Sequence, residues 1–188
     1  MLEKNKILLI GNGPSAASQK FGNEIDSFDG KIVRFNAFVI KGFEEFVGTR
    51  TDYWVTCSTH PNWWKDYEKV FVVSYTRKRD DTILKALQKR YPNACNIPEW
   101  AWDITKWMVA PSSGAVAAAY FQRDNHVYIY GFDFFSADKH HYGDELNYCF
   151  HNKQEEKEFF TKMILARKIT PFNPGPILQV DVEDLVEN

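Results

Sequence analysis

The stretch Lys6-Ile7-Leu8-Leu9-Ile10-Gly11-Asn12-Gly13-Pro14-Ser15 decides how this chain is read. Four apolar residues after a lysine predict a buried strand. The glycines predict a tight turn, with Pro14 suited to the first position of a following helix, Ser15 near its start and the Asn12 amide left on the turn to bind. A second turn, Pro111-Ser112-Ser113-Gly114, precedes Ala115–Phe121, a small-residue helix able to pack close against a sheet. Both turns put glycine and hydroxyl residues where backbone N–H groups can face an anion, as in a nucleotide site. Either turn alone also fits an ordinary loop of an α/β protein; together they point to a ligand.

Outward from these turns, strand-like and helix-like segments alternate. Ile7–Ile10, Ile32–Phe35, Asp52–Thr56, Val70–Ser74 and Val127–Tyr130 carry the β-branched and aromatic residues of strands. Phe43–Val47, Thr82–Arg90, Ser113–Gln122 and Gln154–Arg167 read as helices, the last with an apolar stripe of Phe159, Phe160, Met163, Ile164 and Ile169. Such alternation predicts a single-domain α/β fold, Rossmann-like, with a mostly parallel sheet flanked by helices. Ligands of such sheets lie beyond the C-terminal strand ends, where Gly11–Ser15, Asn36 and Gly131–Phe134 fall. The body spans residues 1–170. The tail 171–188, with its Pro-Phe-Asn-Pro-Gly-Pro run, reads as a C-terminal arm, packed or loose.

With 188 residues, 44% of them hydrophobic and 26% charged, the chain has an ordinary globular composition and enough length to bury a core. A net charge of -2 gives no general nucleic-acid or membrane footprint, though a local positive pocket stays open. Cys57, Cys95 and Cys149 are widely separated and lack metal-ligand spacing, which fits a reduced compartment. No apolar run is long enough for a signal peptide or a membrane span. These features predict a cytoplasmic protein with no metal and no cofactor.

The glycine turn lacks the Lys-Ser/Thr of a P-loop and the third glycine of a dinucleotide site. No Asp-x-Asp pair stands in the body of the chain, and Asp133 reads as an isolated acid. A departing nucleoside diphosphate is usually neutralised by a divalent cation on paired carboxylates. A sugar-transfer enzyme without that pair fits a monophosphate leaving group, stabilised by hydrogen-bond donors and histidine. His140, His141 and His151 supply imidazoles in two short clusters, and imidazole takes a proton from a hydroxyl near neutral pH. Glu155 or Glu156 is placed to orient the His151 ring. A surface or helix-capping histidine and a zinc ligand are the other readings of His151, zinc lacking an evident third ligand.

In this order the motifs resemble those of the sialyltransferases of glycosyltransferase family twenty-nine. The large motif resembles Ile7 to Asp52, including Val33-Arg34-Phe35-Asn36 and Gly42-Phe43-Glu44-Glu45-Phe46-Val47-Gly48-Thr49-Arg50-Thr51; the small motif resembles Pro111 through Phe132. The third motif resembles His141-Tyr142-Gly143-Asp144, and the very small motif resembles His151 with Glu156. The resemblance implies a metal-independent, inverting transferase, a GT-A-like variant of the Rossmann-like fold. It would move sialic acid from a CMP-sialic acid donor to a hydroxyl of a glycan acceptor. By the same matching Asn12, Gly13, Ser15, Asn36, Ser112, Ser113 and Gly114 contact the nucleotide sugar. His141 stabilises the departing phosphate, His151 deprotonates the acceptor, and Glu156 and Tyr142 support them.

Departures from the family matter too. Golgi members carry a membrane anchor and a disulfide joining the large and small motifs; the matching positions near Ile7 and Asp124 hold no cysteine here. The chain is shorter than typical family domains, so acceptor loops are reduced or come from a partner. The glycine turn is also similar to that of the bacterial sialyltransferases of family forty-two, while the Gly-Thr-Arg-Thr run favours family twenty-nine. Two other functions share these residues: transfer of another CMP-activated acidic sugar such as Kdo, and a silent CMP- or glycan-binding module. Glu24, Asp26 and Asp29 read as a solvated turn, and Arg34 and Arg50 as structural ties. Trp63, Trp64, Trp100, Trp102 and Trp107 pack in the core or line an acceptor groove.

Overall fold

The computed structural model describes residues 5–58, 65–74, 81–134, 141–142 and 151–172. Trp63, Trp64, His140, Gly143, Asp144, Cys149 and the arm from residue 173 onward lie outside them.

Strands β1 (Asn5–Ile10), β2 (Lys31–Phe35), β3 (Tyr53–Thr56), β4 (Lys69–Val72), β5 (Cys95–Asn96), β6 (Asn125–Tyr130) and β7 (Ile169–Pro171) form one sheet in the order β5-β4-β3-β2-β1-β6-β7. Every pairing is parallel. The chain builds outward from β1 to β5, then returns to add β6 on the other side of β1. That reversal makes the switch point where a doubly wound sheet opens a crevice. The helices are α1 (Gly22–Asp26), α2 (Glu44–Val47), α3 (Thr82–Gln88), α4 (Glu99–Thr105), α5 (Ser113–Phe121) and α6 (Lys153–Leu165), with a 3-10 turn at Pro14–Ala17.

Because side chains alternate along each strand, neighbouring residues serve opposite layers. Ile7, Leu9, Val33, Val55 and Phe71 pack with α5 and with Phe159, Phe160 and Met163 of α6. Leu8, Ile10 and Ile32 pack on the other face with Ile25 and Val47. Trp54, Val70 and Val72 extend that second face toward Leu87 and Tyr91. Helix α5 is buried at every position but Tyr120, and its alanines let it approach the sheet closely.

The loop between α2 and β3 is tied from within. Arg34 is fully buried. It donates to the carbonyls of Val47 and Gly48 and, at 2.9 Å, to the Thr51 hydroxyl. Asp26 accepts from the Thr49 and Arg50 amides, at 2.7 and 2.8 Å. Arg50 pairs with Asp52 at 2.9 Å and donates to the Phe28 and Gly30 carbonyls. Arg34 and Arg50 are therefore structural ties, as expected, whereas Asp26 does more than face solvent.

Helices α1 and α4 and strands β5 and β7 have no counterpart in the sequence reading. Ile169 belongs to β7, not to the apolar stripe of α6. The helix stops because Arg167 adopts a left-handed φ of 54, with Lys168 N donating to Met163 O at 2.9 Å and Arg167 N to Ile164 O at 2.9 Å. Those two bonds close the helix in the Schellman pattern and free Ile169 to pair with Val127. Helix α4 carries Trp100 and Trp102 into contact with the core; Trp100 lies 5.7 Å from the Tyr120 ring. Trp107 stays partly exposed, under the Lys162 ammonium at 5.3 Å. No described helix is long and apolar enough to cross a membrane.

Candidate active site

A cleft of about 500 Å3 opens beyond the C-terminal ends of β1, β2, β3 and β6. Its walls include Asn12, Gly13, Asn36, Ser112, Ser113, Gly114, His141, His151 and Glu156, so residues from all four motif regions meet there. Ser15 and Tyr142 are not among the lining residues. A larger hollow of about 930 Å3, at the opposite strand ends, gathers none of these residues. Three of its four cations are paired locally, Lys6 with Asp29, Lys31 with Glu68 and Arg50 with Asp52, and the fourth, Lys69, lies over the Phe71 ring at 5.1 Å.

The glycine turn is shaped by close contact with the loop after β6. Gly11 N donates to Tyr130 O at 2.7 Å and Gly13 N to Gly131 O at 3.0 Å. A Cβ on Gly11 would lie 2.3 Å from Gly131 O, and one on Gly13 would lie 2.6 Å from an Asp133 carboxylate oxygen, so only glycine fits. Asp133 is buried and accepts from the Ser15 amide at 2.8 Å and from the Ser15 hydroxyl. It fastens the glycine turn across the switch point. Ser15, whose hydroxyl and amide both serve this bond, stands behind the turn.

Asn12 and Asn36 sit at the ends of β1 and β2. Asn12 Nδ2 donates to Phe35 O at 3.0 Å, while its buried Oδ1 has no hydrogen-bond partner among the described residues. Tyr142 N donates to Asn12 O at 2.9 Å, and its hydroxyl reaches Val39 O at 2.7 Å. This pair of bonds brings His141 to the cleft beside the glycine turn. Asn36 takes a left-handed φ of 49, which asparagine tolerates, and accepts from Cys57 N at 3.0 Å. Its Nδ2 approaches the Ser113 hydroxyl at 3.4 Å. Burial pushes the Cys57 thiol up, so it stays protonated at the cleft wall.

Ser112 caps α5: its hydroxyl accepts from Ala115 N at 3.1 Å. The cap leaves the amides of Ser113 and Gly114 in the first turn, where an α-helix supplies no carbonyl partner. Ser112 is itself gripped by α6. Its amide donates to Glu156 at 2.6 Å and its hydroxyl at 2.9 Å. Glu156 is almost fully buried, and burial pushes its carboxyl up to about 7 against the opposing pull of the Ser112 hydrogen bonds.

His151 immediately precedes Asn152, the cap of α6, whose side chain accepts from Gln154 N at 3.0 Å and Glu155 N at 3.2 Å. The His151 Nδ1 lies 2.7 Å from Ala110 O. A carbonyl only accepts, so Nδ1 carries the proton and the neutral ring keeps its lone pair on Nε2. Among the described hydrogen bonds neither Glu155 nor Glu156 reaches the ring itself: both carboxylates hold main-chain amides of the facing segment, Glu155 taking Val109 N at 2.8 Å. The carbonyl of Ala110, invisible to any residue pattern, supplies the orienting bond. Ala110 thus joins the site from structure alone, and Asp133, expected at the strand ends, gains its specific partner Ser15.

Among the described residues no group of three or more His, Cys, Asp or Glu side chains is gathered to hold a metal ion. The cleft offers backbone amides at a helix start, two asparagine side chains, a buried acceptor and two imidazoles.

The family model described as glycosyltransferase family 29 (sialyltransferase) matches residues 5–101. The human and chimpanzee proteins named CMP-N-acetylneuraminate-beta-1,4-galactoside alpha-2,3-sialyltransferase are each 24% identical over 221 residues, covering 93% of this chain. The chain spans 59% of the length of these relatives. A crystal structure of a mammalian sialyltransferase shares the fold, with a TM-score of 0.67 at 18% identity over 92% of this chain and 70% of that one. The same values hold for a mammalian sialyltransferase in complex with Gal-beta-1-3GalNAc-ortho-nitrophenol. With more than half its length matched, from β1 into the first turn of α4, this chain belongs to glycosyltransferase family 29, the sialyltransferase family.

Proposed function

We propose that this protein transfers sialic acid from CMP-sialic acid to a hydroxyl group of a glycan, with inversion and without a metal ion. The observation that carries this reading is the meeting of His141 and His151 in one cleft with the first turn of α5 and with Asn12 and Asn36. The names of the curated relatives support the donor and the acceptor class.

In this mechanism the CMP phosphate sits against the first-turn amides of α5, where N–H dipoles favour negative charge, and the glycine turn, whose own amides are held by the loop after β6, shapes the wall beside it. The Asn12 Oδ1, buried without a partner, accepts from a hydroxyl or amino group of the nucleoside. The acceptor oxygen attacks the anomeric carbon of sialic acid from the face opposite the phosphate. Its proton passes to His151 Nε2 as the new C–O bond forms. The bond from the anomeric carbon to the phosphate oxygen breaks, and its electron pair leaves with CMP. His141 donates to that phosphate as its charge grows, which lowers the barrier most where charge develops. Because attack and departure occupy opposite faces, the anomeric configuration inverts.

The test is release of CMP from CMP-sialic acid. Wild type is expected to release CMP slowly without an acceptor and faster with one, with no loss in a metal chelator. His151→Ala is expected to lower turnover by roughly 100- to 10,000-fold while CMP still binds. CMP binding with no turnover of CMP-sialic acid, but turnover of CMP-Kdo, would assign the site to another acidic sugar. Binding with no turnover of either would make the chain a binding module.

A further inference from the structure

On the functional reading above, His151 must keep its Nε2 lone pair aimed into the cleft, and the groups that aim it lie in an exchange of hydrogen bonds between two segments. The first is the start of α6, which carries His151, the Asn152 cap, Glu155 and Glu156. The second is Val109–Ser112, the approach to α5. Glu156 holds one end of that approach through Ser112 N and Oγ. Glu155 holds the other through Val109 N at 2.8 Å. Between the two anchored amides lies the Ala110 carbonyl that bonds His151 Nδ1 at 2.7 Å.

We propose that Glu155 is a positioning residue for His151: by holding the Val109 amide it fixes the Ala110 carbonyl that orients the imidazole. Glu155 follows Asn152 by three residues, the place from which a capping-box carboxylate reaches back to the amide of its own cap. Here one of its oxygens reaches across to another segment instead. The side chain of Val109 is 83% exposed, so burial does little to fix this residue, and the Glu155 bond is its described tether. Releasing that tether lets the Ala110 carbonyl swing and weakens its hold on the Nδ1 proton. Ser112 stays anchored by Glu156, so the nucleotide end of the cleft is untouched.

Histidine 15N NMR on the full chain, at about pH 8 where imidazoles are neutral, reads the tautomer directly. Wild type is expected to hold His151 with the proton on Nδ1. Glu155→Ala is expected to shift the signals toward the mixture of a free imidazole. Its kcat for CMP-sialic acid should fall about three- to ten-fold, the weight of one ordinary hydrogen bond once solvent has weakened this exposed one, with the donor KM within two-fold. Glu155→Gln keeps an acceptor for Val109 N and is expected to restore both. An unchanged tautomer in Glu155→Ala would overturn the inference, as would equal damage from Glu155→Ala and Glu155→Gln. The spectrum needs no turnover: a tautomer shift in a chain that never releases CMP supports the positioning role while removing the transferase reading.

Discussion

Glu156 receives both hydrogen-bond donors of Ser112, the amide at 2.6 Å and the hydroxyl at 2.9 Å, and so fastens the start of α5 to α6. The same hydroxyl accepts from Ala115 N. One serine thus caps a helix and satisfies a buried carboxylate. Ser112→Ala removes the cap and the hydroxyl bond to Glu156 while the amide bond survives, and it is expected to cost roughly 2 kcal/mol in chemical denaturation, combining a lost cap with a less well satisfied buried acceptor. CMP affinity should fall with it, since the first-turn amides lose their fixed geometry.

Glu156 also predicts how stability depends on pH. Its carboxyl is raised from about 4.5 to about 7 by burial, so between those values the folded chain binds a proton that the unfolded chain has lost. Stability contributed by this group is full below about pH 4.5, declines as pH rises through about 7, and is level above. The span is up to roughly 3 kcal/mol. Glu156→Gln keeps an acceptor for Ser112 N and cannot ionise. Thermal unfolding across this range should lose that slope in Glu156→Gln, with the variant no less stable than wild type at the alkaline end.

Asp133 bonds Ser15 across the switch point of the sheet. Asp133→Ala leaves the Ser15 amide without its acceptor and opens the wall behind Gly13. Stability is expected to fall by about 1 to 3 kcal/mol. CMP binding by calorimetry should weaken more than Ser15→Ala weakens it, because the amide bond survives that second change.

Gly48 stands at φ 67 and ψ -179, a conformation that side chains avoid, and an added Cβ would lie 2.5 Å from the Asp26 carboxylate. Gly48→Ala is expected to destabilise the fold by roughly 2 kcal/mol or more, through backbone strain and loss of the Asp26 bonds to Thr49 and Arg50. Urea denaturation measures this directly. CMP affinity at equal folded fraction should change little, as this loop does not line the cleft.

Short runs rich in β-branched and aromatic residues announced the five principal strands, because a buried parallel strand needs little beyond such a run. Ala115 to Ala119 announced α5 through its small side chains. Helix α1 escaped notice because it is short and begins at Gly22, with polar Asn23 and Glu24 following. Strand β7 was absorbed into the α6 stripe, since only the backbone turn at Arg167 separates them. The site was legible where side-chain chemistry makes it: Asn12, Asn36, Ser113, His141 and His151 all reach the cleft. It was illegible where partners are distant in sequence or belong to the main chain. The Ser15 to Asp133 bond spans 118 positions, and no local pattern encodes the Ala110 carbonyl that meets His151.

The central claim is sialyl transfer at this cleft, and mass spectrometry of a β-galactoside acceptor incubated with CMP-sialic acid tests it most directly. Wild type is expected to add one sialic acid residue per acceptor and to release CMP in equal amount, also in excess chelator, whereas His151→Ala leaves the acceptor unmodified. An acceptor left unmodified by wild type that binds CMP, or modified equally by wild type and His151→Ala, would contradict it.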